Sequence, residues 1–255
     1  MEFPLHIGFG PLKISAHLLF ETLAFVIGFR YFLHLRKKKP GPISESNRVW
    51  ILIGAAFGAF FFSRLIGALE GPVQWALANN PWLYFFANKT IVGGLAGGLL
   101  AVEVTKYFIG EKSSSGDLFT FPLVLAMIIG RVGCFTQGVY EQTYGIETTV
   151  PWALDLGDGL LRHPVALYEI AFLLVLWWLL QNVSNKYPLK NGMLFQFFMI
   201  GYFAFRFLLD FIKPGFRYDF INLSTIQLAC LLVLFYYSKT IFYIFTKKEK
   251  LKRAH

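Results

Sequence analysis

Charge is what this chain has least of. Asp, Glu, Lys and Arg together make up 15% of its 255 residues, where an ordinary soluble domain carries about 25%. That shortage excludes a fully solvated globular surface. Acidic residues are the scarcer sign, 15 against 24 basic ones, for a net charge of +9. In a soluble chain such a balance would raise the question of nucleic acid. Here the basic residues flank apolar segments, and no nucleic-acid partner is expected. Cysteine is nearly absent. Cys134 and Cys230 are the two, both in apolar surroundings, which excludes a disulfide framework and any zinc-ligand spacing. No P-loop and no HExxH stretch occurs, so no cofactor, no metal and no dependence on ATP or zinc is expected. Repeats, low-complexity tracts and a separate soluble domain are also missing.

What is present is apolar. Hydrophobic residues make up 56% of the chain and 29 residues are Phe, which excludes disorder. The fold class read from this is an all-α polytopic membrane protein. Seven stretches reach the roughly 20 residues that a bilayer crossing needs. They lie near 11–35, 49–70, 90–109, 118–138, 165–182, 192–212 and 224–246. The first lacks a basic leading region and a small-residue cleavage site, so it reads as a retained span rather than a cleavable signal. Basic clusters follow spans one, three, five and seven: Arg36 to Lys39 with Arg48, then Lys106 and Lys112, then Lys186 and Lys190, then the run from Lys247 to Arg253. The other loops are poorer in Lys and Arg. The positive-inside rule therefore predicts an outside N-terminus and a cytoplasmic C-terminus. The same clusters also suit anionic membrane lipids. The domain expectation is one seven-helix membrane domain over 1–246 and a basic cytoplasmic tail over 247–255. Asp117 is placed to cap the fourth span.

Ionisable groups inside a bilayer cost several kcal/mol each, by order of magnitude, so each needs a partner or a task. His17 and Glu21 share one face of span one. Arg64 and Glu70 lie late in span two. Arg131 follows the apolar run Phe121 to Gly130, and Glu169 sits just inside span five behind His163 and Tyr168. Arg206 and Asp210 are four apart in span six. Arg206–Asp210 reads either as an intrahelical pair that locks the bundle or as part of a site. His17–Glu21 reads either as an interhelical hydrogen-bonding pair or as a catalytic one. In span three, Val92-Gly93-Gly94-Leu95-Ala96-Gly97-Gly98 gives overlapping small-xxx-small patterns, which suit close helix packing or room for a lipid.

The most specific stretch is Gly130-Arg131-Val132-Gly133-Cys134-Phe135-Thr136-Gln137-Gly138. Glycines around an arginine at a span end allow close backbone approach, and the guanidinium can take a phosphate bidentately. Snorkelling to the interface is the competing account, but it leaves the glycines unexplained. Cys134 reads as packing beside glycines or as a transient nucleophile.

These residues resemble the prolipoprotein diacylglyceryl transferases of bacterial inner membranes. The resemblance rests on Gly130-Arg131-Val132-Gly133-Cys134-Phe135 with Gly138 and Tyr144-Gly145, and on Arg162-His163-Pro164 with Leu167-Tyr168-Glu169. It rests further on Gly201-Tyr202 with Arg206-Phe207 and Asp210, on Ser224 with Gln227, and on Pro151-Trp152. Order and spacing agree from about residue 8 to 240. The resemblance implies transfer of a diacylglyceryl group from phosphatidylglycerol to the lipobox cysteine of a preprolipoprotein, giving a thioether and glycerol-1-phosphate. It implies that Arg131 and Arg206 neutralise the phosphate and that Asp210 orients Arg206. Glu169, Tyr168 and His163 would shape the outer end of the cavity. Gly93, Gly94, Gly133, Cys134, Gly138, Glu141, Gly145 and Arg64 complete the candidate lipid-binding set. Three positions depart from the family pattern. Cys134 stands where an asparagine is usual, Val92 where a histidine precedes the glycines of span three, and His17 where span one usually has a tyrosine. The loop after Gly138 is slightly longer, so Glu141 matches the family's acidic position loosely. His17 with Glu21 is the candidate replacement for the missing imidazole. The alternatives are a divergent paralogue with another acceptor, and a phospholipid-binding or phospholipid-moving protein without chemistry. A solute transporter would need an inverted repeat or broken helices, and neither is visible.

Overall fold

The computed structural model describes residues 3–9, 12–38 and 43–242. Lys39, the end of the seventh predicted span and the basic stretch 247–255 lie outside the described residues. The chain is mostly helical. Among the described residues, six helices are long and apolar enough to cross a membrane: α1 (Ala16–Lys38), α2 (Glu45–Leu69), α5 (Ile91–Phe108), α6 (Asp117–Gln137, extended by a short 3-10 turn to Tyr140), α7 (Val165–Lys186) and α8 (Met193–Leu209, extended likewise to Ile212). Phe25, Phe57, Leu174 and Trp178 point outward from them, exposed as lipid-facing side chains are. Two short helices, α3 (Pro72–Ala76) and α4 (Pro81–Ala87), follow α2. A last helix, α9 (Thr225–Tyr236), has 12 residues, about 18 Å at 1.5 Å per residue. That is shorter than the roughly 30 Å hydrocarbon layer. The chain is helical again from 238 to 242, where the described residues end.

Two small hairpins depart from an all-helical reading. β1 (His6–Phe9) pairs antiparallel with β2 (Leu12–Ser15), and β3 (Leu154–Asp155) with β4 (Leu161–Arg162). Span one therefore begins at Ala16, not near 11. Leu12-Lys13-Ile14-Ser15 alternates apolar and polar residues as a strand does, these residues form strand bonds, and the Ala16 amide donates to the Leu5 carbonyl at 3.0 Å.

The described residues group into two compact units, given by the ranges within which they fall. The first comprises 1–41, 115–198 and 211–214. Its main seam joins α1 and α6. A Cβ on Gly28 would lie 3.0 Å from Ala126 Cβ and 3.3 Å from the Pro122 carbonyl, so the two backbones approach as only glycine permits. Phe32 and Phe119 stack at 4.4 Å along the same seam. Asp117 does not cap α6, contrary to what its position suggests. The N-cap there is Gly116, with no side-chain bond. The Asp117 carboxylate instead accepts from the Gly192 amide at 2.6 Å and the Phe195 amide at 3.0 Å. It thus serves the positive end of α8, where the first amides lack intrahelical partners.

The second unit comprises 42–114, 199–210 and 215–255. Here α2 and α5 lie against each other through glycine. A Cβ on Gly58 would collide with Ala101 and the Gly97 backbone, and one on Gly93 or Gly97 would collide with Phe62. Gly94 and Gly98 are looser, with nearest neighbours at 3.8 and 3.6 Å. Of the small-residue repeat, Gly93 and Gly97 make the helix seam. Glu70, at the end of α2, accepts from the Ile226 amide at 3.0 Å, and Thr225 Oγ1 donates to the Leu69 carbonyl at 2.7 Å, fixing the start of α9.

Candidate active site

In the first unit the conspicuous polar group is Arg131. Its side chain is 7% exposed, and Nε lies 2.8 Å from Oε1 of a fully buried Glu169 on α7. The guanidinium is therefore fixed between two helices and does not snorkel. Nη1 also donates to Cys134 Sγ, one turn on, at 3.6 Å. The glycines have separate tasks. Gly133 lets α1 come close: a Cβ there would lie 3.0 Å from Phe20 Cβ and 3.4 Å from His17 Nδ1. Gly138 has φ +59, and a Cβ there would strike the Leu156 carbonyl, so it is the point where α6 can turn into the loop. At Gly145 a Cβ would collide with His163, whose carbonyl accepts the Gly145 amide at 3.1 Å.

His17, Glu21 and Glu141 meet beside this arginine. His17 Nδ1 is 3.2 Å from Glu141 Oε2 and His17 Nε2 is 3.6 Å from Glu21 Oε2. The shorter approach is close enough for an ion pair, yet neither His17 Nδ1 nor Glu141 Oε2 has a hydrogen-bond partner among the described residues. A small cavity of about 10 Å³ adjoins Cys134, lined also by Gly138, Tyr144, Leu156 and Val165. It has room for about one water-sized group.

The loop from 141 to 164 is tied down by polar contacts. His163 Nδ1 lies 3.1 Å from the Tyr168 hydroxyl, which also accepts from Trp152 Nε1 at 2.6 Å. Arg162 donates through Nε to Asp158 at 2.8 Å and lies over the Tyr144 ring. That bond holds the Asp158 carboxyl below its ordinary range, and the amides of Gly157 and Gly159 do the same for Asp155. Both acids stay ionised at the surface of the loop.

In the second unit Arg206 and Asp210 are both buried, but their contact is loose, Nη2 to Oδ1 at 3.9 Å. Asp210 Oδ2 takes a short hydrogen bond from the Ser224 hydroxyl, and the Asp210 carbonyl accepts from Arg217 Nη2 at 3.2 Å. Ser224 and Gln227 form a capping box at the start of α9: the Gln227 amide donates to Ser224 Oγ at 3.0 Å and the Ser224 amide to Gln227 Oε1 at 2.9 Å. Gln227 Nε2 reaches back to the Phe207 carbonyl at 3.3 Å. Arg64 Cζ stands 4.0 Å over the Phe60 ring, a cation–π contact. Val92 at the start of α5 is 1% exposed.

The structure thus brings His17, Glu21, Arg131, Gly133, Cys134, Glu141 and Glu169 together in one unit and joins Arg206 to Asp210 in the other. Gly93 belongs to a helix seam. The role of Glu70 as a partner of the α9 terminus is not readable from spacing, because it acts on a segment remote in sequence, whereas Ser224 and Gln227 have the local Ser-x-x-Gln spacing of a capping box.

A family model described as prolipoprotein diacylglyceryl transferase matches residues 4–244. The chain is 31% identical over 230 residues to the phosphatidylglycerol–prolipoprotein diacylglyceryl transferase of Bordetella parapertussis, covering 82% of each chain. It is 31% identical over 225 residues to the protein of that name from Vibrio parahaemolyticus, covering 82% of this chain and 78% of the relative. Against the Campylobacter lari protein it is 28% identical over 240 residues, covering 87% and 86%. With a matching family model over most of its length and relatives of one name along the same stretch, the chain belongs to the prolipoprotein diacylglyceryl transferase family.

Proposed function

We propose that this protein moves a diacylglyceryl group from phosphatidylglycerol to the cysteine thiol of a lipobox-bearing preprolipoprotein in a bacterial inner membrane. Family membership supports the reaction class, and the observation that carries it to particular residues is the fixed, buried Arg131. In the reaction a carbon–sulfur bond forms to the glyceryl carbon, the carbon–oxygen bond to phosphate breaks, and glycerol-1-phosphate leaves with the electron pair. The thiol proton must go first, because the thiolate is the nucleophile. A guanidinium keeps its charge when buried. Held in a medium of low dielectric, it stabilises charge developing on a leaving phosphate more strongly than it would in water. Arg131, oriented by Glu169, has that task, and Arg206, oriented by Asp210, is assigned the second cationic contact to phosphate. His17 supplies activation of the acceptor thiol where the family histidine is replaced by Val92, with Glu21 steadying its ring. Gly133, Cys134, Gly138, Glu141, Gly145, His163 and Tyr168 belong to the substrate-binding surroundings, as do Gly93, Gly94 and Arg64.

The topology proposed with this function has seven crossings in one membrane domain over 1–246, α9 beginning the seventh. The N-terminus is outside, and 247–255 is a cytoplasmic tail. The alternating basic loops support it.

The test is purified protein in liposomes with head-group-labelled phosphatidylglycerol and a lipobox peptide. Release of glycerol-1-phosphate with a diacylglyceryl mass gain on the peptide is expected. Release without modified peptide would mean another acceptor. Tight lipid binding with neither would favour a non-catalytic phospholipid-binding protein, a reading that the loss of the family histidine to Val92 keeps in view.

A further inference from the structure

The three residues in the first unit that depart from or only loosely match the family pattern converge. A His17 ring nitrogen, Cys134 Sγ and a Glu141 carboxylate oxygen lie within 4.8 Å of one another. We propose that His17, Cys134 and Glu141 form a three-ligand site for a divalent cation of the zinc class, with a fourth position open to the sulfur of the acceptor.

The donor set is the first argument. One imidazole nitrogen, one thiolate and one carboxylate oxygen suit zinc, and three protein ligands with an open position is the arrangement of catalytic rather than structural zinc. Geometry is the second. Zinc binds nitrogen and oxygen at about 2.0–2.1 Å, so the edge between two such ligands in a tetrahedron is about 3.3 Å. His17 Nδ1 and Glu141 Oε2 stand 3.2 Å apart. Both atoms are shielded from solvent, and the two are in contact as an imidazole–carboxylate pair. That separation is the one two ligands of a common tetrahedral cation keep.

The surroundings complete the site. His17 Nε2 faces Glu21 at 3.6 Å, the carboxylate on the far ring nitrogen that steadies metal-bound imidazoles. The thiolate and the Glu141 carboxylate balance a divalent charge. The Arg131 cation is already paired with Glu169, and its Nη1 donates to the same sulfur. Gly133 gives His17 Nδ1 its place against α6. Spacing along the sequence offers no metal motif, because His17 lies on a different helix, far from the other two in sequence.

The identity of the fourth ligand rests on the transferase reading above; the metal site itself does not. With the acceptor sulfur bound, its S–H proton passes to solvent and the metal holds the thiolate. That thiolate then forms the carbon–sulfur bond as phosphate leaves. His17 acts in this scheme as a ligand rather than as the base.

The experiment uses tag-free full-length protein in lipid nanodiscs, equilibrated with zinc chloride and freed of loose metal by gel filtration. Elemental mass spectrometry should find about one zinc per chain, lost in Cys134→Ser, His17→Gln and Glu141→Gln. Cobalt chloride in place of zinc should give tetrahedral visible bands and a thiolate charge-transfer band, the latter absent from Cys134→Ser. Zinc content in the wild type no higher than in these variants would overturn the site, and so would a cobalt spectrum without the thiolate band. Thermal melting separates a variant that fails to fold from one that folds and binds no metal, and the wild-type spectrum decides the matter if every variant unfolds. A lipobox peptide with cysteine should intensify the thiolate band, and the same peptide with serine should not; equal spectra would overturn the fourth ligand. Glycerol-phosphate release from metal-free wild type would sink the metal's role and leave the transferase standing. Bound metal without any such release would do the reverse.

Discussion

The two buried arginines are held in different ways. Arg131 belongs to an interhelical pair, 2.8 Å from a carboxylate with no exposure at all. Arg206 faces an acid four residues along its own helix at 3.9 Å, and that acid is engaged more closely by Ser224. The two arginine–carboxylate pairs are therefore built differently although both are buried. The first pair couples α6 to α7 and aims one cation. In the second, Asp210 is shared between an arginine and the start of α9, so its loss would disturb a helix terminus as well as a charge.

The comparison breaks most sharply at Arg131. Arg131→Ala should lower transfer about 10²–10³-fold, the usual effect of removing one preorganised charge-stabilising donor. Arg131→Lys should recover little, since an ammonium cannot engage Glu169 and Cys134 together. Both are read as glycerol-phosphate release in liposomes. Next comes Glu169→Ala, which leaves a buried cation without its carboxylate. A stability loss of about 3–5 kcal/mol is expected, measured by denaturation in detergent, and it should exceed that of Asp210→Asn, where Ser224 still finds an acceptor. If Asp210→Asn proved the more damaging, the contrast between the pairs would be wrong. Smaller again is Ser224→Ala, which removes the helix cap and the bond to Asp210 and should cost about 1–2 kcal/mol by the same measurement.

The smallest effect lies outside both pairs. The Ser113 amide, followed by the Asn47 side chain, holds the Glu111 carboxyl down to about 2 from an ordinary 4.5. A depressed acid stabilises the fold while it is ionised. Its contribution should be complete above pH 4.5 and fade as pH falls toward 2. Glu111→Gln should flatten that part of the stability–pH curve and leave transfer at neutral pH unchanged.

Much of the architecture is legible in the sequence alone. Apolar runs locate all six long helices, because a bilayer imposes both length and composition on a span. The Arg131 stretch stands out because an arginine among glycines is costly without a purpose. The hairpins are too short for a span-length hydropathy reading: Leu12-Lys13-Ile14-Ser15 alternates apolar and polar over only four residues before the helix, and pairing with residues 6–9 decides their conformation. Nor is the partner of Asp117. A carboxylate at a helix start looks like a cap for that helix, and only packing shows that it serves another. His17 with Glu21 is visible from i,i+4 spacing, whereas Glu141 and Cys134 join them only through the α1–α6 seam.

That misplaced cap has a consequence for biogenesis. Asp117 leaves the ribosome well before Gly192 and Phe195, the residues whose amides it receives. Until α8 is made, the nascent first unit holds an acid without its intended donors. Completion of this part of the unit therefore waits on the synthesis of α8.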